Sequence, residues 1–139
     1  MVLGAEGMKP SLGHLNERLD GPFFKIKKDP RITKVGLFLR KFRLDEFPQL
    51  VNVLAGDLSL VGPRPHEPGE VACYPKDYAS IALARAGVTG LSQVSGASSL
   101  PFMEELKLDR SYLEKRSLLL DAKIIGKTLA ILFFDPTAV

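Results

Sequence analysis

Apolar residues recur at Val35, Phe38, Leu39 and Phe42, and again at Phe47, Leu50, Val51 and Leu54. Both sets follow the i, i+3, i+4, i+7 spacing that lines up side chains on one face of an α-helix. The pattern therefore predicts two amphipathic helices in succession. Thr33 is placed to cap the first, and Gly36 weakens it by roughly 1 kcal/mol relative to alanine. Pro48 is tolerated early in the second helix because N–H groups there lack intrahelical partners, and Gly56 supplies a stop. Upstream, Phe23 to Lys27 alternates apolar and basic residues, which predicts a short strand ending at the Asp29-Pro30 turn.

Downstream, Leu58 to Val61 fits a short strand or buried connection, and a helix is expected near residues 77–85. Residues 87–96 fit a turn and strand leading into a glycine-rich loop. Ser99 is placed to cap a helix running to about Glu114, with Phe102, Leu106, Asp109 and Leu113 on its buried stripe. A last helix is expected over roughly residues 119–134. Residues 1–22 are weakly patterned, with a short helix around Leu12 to Arg18. The expected fold is a mixed α/β, helix-dominated single compact domain over residues 1–139, with a few short strands and amphipathic helices.

Composition narrows the classes. A chain of 139 residues, 45% hydrophobic and 25% charged, supports one globular core. Its one cysteine, Cys73, excludes a disulfide framework and a thiolate metal cluster. No leader-like apolar run opens the chain. No stretch reaches the ~20 apolar residues needed to cross a bilayer, because residues 118–134 contain Asp121, Lys123 and Lys127. Net charge is +3, but eight basic residues against one acidic lie between Lys25 and Arg43. Such clustering attracts phosphate, anionic lipid or nucleic acid. Aromatic residues are not interleaved on that basic face, so nucleic acid ranks last among these partners.

The candidate chemistry sits beside the basic stretch. Asp45 and Glu46 open the second helix, where the helix dipole alone favours acidic residues. Gly62-Pro63-Arg64-Pro65 is a stiff turn in which two prolines fix φ around Arg64, so holding a ligand there costs little further backbone entropy. Carboxylates set among cations suit phosphoryl transfer. Asp109 falls on an apolar stripe, where an unpartnered carboxylate is costly. Gln93 either lines the site or pairs with loop backbone. Asp57 fits a turn cap. His14 and His66 have no evident ligand partners and read as incidental, and Tyr112 reads as core.

Several segments together carry a resemblance. They are Gly21 to Lys27, Asp29 to Thr33, Gly36 to Arg40, Leu44 to Leu54 and Gly56 to Pro65, followed by Gly87 to Gly90, Gln93 to Gly96, Leu108-Asp109 with Tyr112, then Leu120-Asp121 and Lys123-Ile124-Ile125. The chain resembles the catalytic domain of bacterial polyprenyl-phosphate sugar-phosphate transferases, the monotopic phosphoglycosyl transferases. The resemblance implies transfer of a sugar phosphate from a nucleotide sugar, leaning to UDP, onto membrane polyprenyl phosphate at the cytoplasmic face of the bacterial inner membrane. That reaction initiates exopolysaccharide or lipopolysaccharide synthesis. It implies Asp45 as nucleophile, Glu46 as its catalytic partner, Mg²⁺ held by Asp45 and Glu46, Arg40 and Arg64 on substrate phosphate, and Gln93 and Asp109 in support. The sugar, prenyl length and oligomeric state stay open.

The chain also departs from the family pattern. Family members begin with a hydrophobic membrane-dipping helix and a basic-aromatic segment ending in methionine. Met1 falls where that segment would end, so a chain without its anchor is expected. Ala97 stands where an arginine is usual, Ser92 where an aromatic is usual, and Ala86 where a proline is usual. These departures leave a second possibility, a truncated and catalytically weak remnant that binds nucleotide or an anionic membrane surface.

Overall fold

The computed structural model describes residues 1–18, 20–24, 26, 29–41, 47–96 and 99–134, with the side chains of residues 40, 41, 133 and 134 outside the description. In chain order the described elements are α1 (Lys34–Lys41), α2 (Phe47–Ala55), β1 (Ser59–Val61), α3 (Pro68–Val71), α4 (Ala79–Leu83), β2 (Gly87–Thr89), α5 (Phe102–Lys115) and α6 (Leu118–Phe134). Short 3₁₀ turns at Pro10–Leu15, Lys76–Tyr78 and Gln93–Ser95 fill the connections. The fold is thus mixed α/β and helix-dominated, as expected.

The two strands pair in parallel, with Ser59 opposite Gly87 and Val61 opposite Thr89. Their crossover carries the 62–66 turn, α3 and α4. Backbone contact beyond the strands is unusually close. A Cβ at Gly87 or Gly90 would overlap the backbone of Gly62. The Gly62 N–H donates to the Thr89 carbonyl at 2.9 Å, and the Gly87 N–H donates to the Pro63 carbonyl at 2.8 Å. These bonds pin the start of the Pro63–Arg64–Pro65 turn to β2.

α5 is the central element. One side of it, with Phe102 and Leu106, packs on Phe23 and Ile81. The other, through Tyr112, meets Val61 and Ile124, so α6 closes over the strands. Leu113 is packed against both clusters. The Tyr112 hydroxyl lies 2.9 Å from Asp121 Oδ1 and 3.2 Å from the Val61 carbonyl. Burial first, then Asp121, pushes its pKa up to about 12. Tyr112 is therefore a core residue, in line with its expected role.

Several local expectations are met. Thr33 Oγ1 accepts the Gly36 N–H at 3.1 Å and caps α1. Gly56 ends α2 with φ of 86°, a conformation that disfavours side chains. Others need correction. Phe23, Phe24 and Ile26 belong to no strand. Phe23 is instead committed through its ring, with the Arg18 guanidinium 4.6 Å from its centroid and Phe102 edge-on at 5.0 Å. The expected helix around residues 12–18 is a 3₁₀ turn displaced to Pro10–Leu15.

Ser99 does not cap α5. Its hydroxyl donates to the Gly96 carbonyl, and Pro101 is the N-cap residue. The orphan N–H of Phe102 is taken by the Asp20 carboxylate, 82 residues away. That bond, more than the Arg18 guanidinium beside it, holds the Asp20 carboxyl below its ordinary range. Gly21 crosses so close to the Phe102 ring that a Cβ would come within 2.7 Å. The N-terminal segment therefore acts as the cap of a helix far along the chain.

The apolar stripes of α1 and α2 face outward. Val35, Phe38 and Leu39 on α1, and Phe47, Leu50, Val51 and Leu54 on α2, are exposed, Leu54 to 89%. The described core is already filled by α4, α5, α6 and the strands. No described helix is long and apolar enough to cross a membrane.

Replacing Asp20 by alanine is expected to lower stability by about 1 kcal/mol in urea unfolding, while Ser99→Ala stays within about 0.5 kcal/mol. Equal losses would return the capping role to Ser99.

Candidate functional site

The turn 62–66 lies against the first half of α5, and two carboxylates one helical turn apart on α5 point at it. Glu105 and Asp109 are 1% and 0% exposed. Carboxylates this buried are rare unless paired or hydrogen-bonded. Four residues apart on a helix, they share one face.

Glu105 faces two guanidiniums and an imidazole. Its oxygens lie 3.3 Å from Arg18 Nη1, 3.4 Å from His66 Nε2 and 3.8 Å from Arg64 Nη1. Burial alone would raise its pKa, but the His66 ring and the two guanidiniums outweigh that and hold it below the ordinary carboxylate range. Arg18 is itself buried and donates through Nη2 to the Leu100 carbonyl at 2.7 Å. His66 Nδ1 pairs with the Tyr74 hydroxyl. That hydroxyl's pKa is raised, chiefly by burial and then by Asp109 and Glu105.

Asp109 behaves oppositely. Its Oδ2 accepts the backbone N–H of Arg64 at 3.4 Å, while Oδ1 has no hydrogen-bond partner. Burial pushes its pKa up to about 6, although the neighbouring Ser92 hydroxyl and the Arg64 N–H pull it down. Two carboxylates on one helix face are thus driven apart in acidity, the pattern that separates a permanent charge from a titrating group near neutrality. Ser92 Oγ and Gln93 Oε1 are also buried without partners, and Gln93 Nε2 donates to the Val88 carbonyl at 3.3 Å. Unpaired buried polar atoms mark places for water or a ligand.

Of the residues expected from sequence, Arg64, Asp109 and Gln93 lie around this turn. Asp45, Glu46 and the Arg40 side chain lie outside the described residues, as does Ala97. Sequence reasoning treated His66 as incidental. The structure corrects this: His66 is buried at the side chain and sits between Tyr74 and Glu105. Glu105, Arg18 and Ser92 were missed. The usable signal was Glu105 four residues before the anomalous Asp109, on the same face. Among the described residues no group of three or more His, Cys, Asp or Glu side chains is arranged to hold a metal. A magnesium site built as expected would need Asp45 and Glu46.

The family can now be stated. The bacterial sugar transferase model matches residues 1–135, and the chain belongs to that family. It is 46% identical over 108 residues to the undecaprenyl-phosphate galactose phosphotransferase of Salmonella typhimurium, covering 78% of this chain and 23% of that protein. It is 41% identical over 139 residues to the galactosyl transferase CpsE of Streptococcus agalactiae, covering 99% of this chain and 31% of that protein. It is 42% identical over 131 residues to the UDP-glucose:undecaprenyl-phosphate glucose-1-phosphate transferase of Caulobacter vibrioides, covering 87% and 49%. The chain therefore spans 23% to 49% of the length of these curated relatives.

The raised Asp109 pKa has a stability consequence. Between its unfolded value of 3.8 and about 6, the folded chain keeps a proton that the unfolded chain releases, so stability falls as pH rises through that window. Asp109→Asn removes this loss. The variant is expected to gain on wild type with rising pH, by on the order of 2 kcal/mol at pH 7, in urea midpoints taken from pH 4.5 to 7.5.

Proposed function

We propose that this chain transfers a sugar phosphate from a uridine diphosphate sugar to a polyprenyl phosphate at a membrane surface, as the first step of exopolysaccharide or lipopolysaccharide assembly. The observation that carries this reading is the family match over nearly the whole chain, with relatives named as undecaprenyl-phosphate sugar-phosphate transferases. In the proposed first step an Asp45 carboxylate oxygen attacks the sugar-bearing phosphorus, and the bond to the departing UMP breaks. In the second, a phosphate oxygen of the lipid attacks the same phosphorus and frees Asp45. Covalent catalysis of this kind divides one hard displacement into two easier ones.

Repulsion between an anionic nucleophile and a diphosphate must be offset. Arg64 supports this role: its side chain is 39% exposed and its backbone is fixed by flanking prolines and the Asp109 carboxylate. Arg40 is proposed as a second phosphate contact and Glu46 as the partner of Asp45. Gln93 and Asp109 are proposed as supporting groups near the Arg64 turn. Magnesium held by Asp45 and Glu46 would neutralise diphosphate charge.

The outward apolar faces of α1 and α2 support a lipid surface as partner. In the sequence α1 lies within the basic stretch 25–43 and α2 follows it, so apolar insertion and attraction to anionic headgroups would act together. The cytoplasmic leaflet, with its negative surface potential, fits that charge. Ala97, standing where family members carry arginine, favours a second reading in which the chain binds its ligands with little turnover.

Incubation with Mg²⁺ and a panel of UDP-sugars separates the two readings. A phosphosugar mass increase with UMP release, both abolished in Asp45→Asn, is expected for the transferase. Neither signal in the wild type would favour the non-catalytic reading. For the membrane face, Val51→Asp with Leu54→Asp is expected to cut sedimentation with anionic vesicles roughly tenfold while leaving the urea midpoint unchanged. Undiminished sedimentation would exclude α2 from the lipid contact.

A further inference from the structure

Glu105 has no role in the reaction proposed above, yet it is one of the most deeply buried charges in the described chain. It stands on the same face of α5 as Asp109, one turn earlier, and both address one residue. Asp109 takes the backbone N–H of Arg64, and Glu105 faces its guanidinium. The geometry is asymmetric. Nη1 of Arg64 turns inward to Glu105 Oε1 at 3.8 Å, while the side chain as a whole remains 39% exposed. One nitrogen of the planar fork is thus drawn to ion-pair distance of a buried carboxylate, while much of the side chain still meets solvent.

The anchor is itself immobile. Glu105 is fixed by its helix, by Arg18 at 3.3 Å and by His66 at 3.4 Å. Arg18 is tied in turn to the Leu100 carbonyl and Asp20, and His66 to Tyr74. The charged and titratable groups around Glu105 therefore come from the N-terminal segment (Arg18, Asp20), the 62–66 turn (Arg64, His66), the loop after α3 (Tyr74) and α5 itself (Asp109).

We infer that Glu105 is a positioning residue that orients the Arg64 guanidinium for binding the diphosphate of the donor. This rests on the anion-binding reading of Arg64. An unanchored arginine loses rotamer freedom when it captures phosphate, and that loss subtracts from affinity. A guanidinium already drawn towards a fixed carboxylate loses less. The inference runs against simple electrostatics. A carboxylate behind Arg64 repels an incoming anion, so neutralising it should tighten binding if charge were all that mattered.

That opposition gives the test its sign. The probe is inorganic pyrophosphate in magnesium-free buffer, followed by calorimetry. Glu105→Gln is expected to weaken pyrophosphate binding roughly tenfold. The double variant Arg18→Gln/Glu105→Gln, which leaves no buried guanidinium short of its counter-charge, is expected to show the same loss and guards against misfolding of the single one. The Arg64 Nε–H relaxation measured by ¹⁵N NMR at pH 6.5 should report a rigid side chain in the wild type and a mobile one in both variants. Equal or tighter pyrophosphate binding in the variants overturns the proposal, as does an Arg64 that stays rigid. If wild type and Arg64→Gln bind pyrophosphate equally poorly, the anion-site reading fails, and the relaxation data still decide whether Glu105 immobilises Arg64.

Discussion

Two carboxylates sealed beneath one turn are the constraint around which the described structure is arranged. An ionised Glu105 at 1% exposure is sustainable only with cations around it. The Arg18 and Arg64 guanidiniums meet that demand from the N-terminal segment and the crossover turn, with the His66 ring beside them. The demand therefore links three stretches that are far apart in sequence. The aromatic cluster of Phe23, His66, Tyr74 and Phe102 surrounds the same place, with His66 and Phe102 ring centroids 4.5 and 5.0 Å from Phe23. Apolar burial and charge pairing reinforce each other there, because excluding water strengthens the ion pairs that justify the buried charges.

The site and the sheet are built by one device. β1 and β2 contribute only three residues each, too few to be stable alone. Their value lies in geometry: the bonds from Gly62 to Thr89 and from Gly87 to Pro63 place the Arg64 turn at the strand ends. Functional groups at the carboxyl end of a parallel strand follow a general rule of open α/β folds. Here α5 supplies the other wall. Membership of the bacterial sugar transferase family gives that arrangement its chemical context.

Helix positions were legible in the chain because they follow period. The 3.6-residue spacing located α1, α2, α5 and α6, and local caps at Thr33 and Gly56 fixed boundaries. What period cannot show is which way a stripe faces. The α1 and α2 faces repeat like buried ones and lie exposed, since amphipathicity records an apolar neighbour without saying whether it is protein. Long-range partners were equally hidden. Asp20 capping α5 and Arg18 meeting Glu105 join residues more than eighty apart, beyond any local rule. Asp109 was visible because it breaks an apolar stripe. Glu105 was not, because at the edge of that stripe it reads as an ordinary surface acid. Gly-Pro-Arg-Pro announced a stiff turn, but nothing local revealed that His66 just beyond it would be drawn inside.

The near-contact of glycine backbones at 62, 87 and 90 has a bearing on how the molecule assembles. Residues 61 and 89 come together only after the intervening crossover has closed, and such closure is entropically unfavourable until distant contacts repay it. The arginine of the turn has no fixed place before that moment. The contacts that close the crossover are therefore the same ones that seat the arginine of the turn.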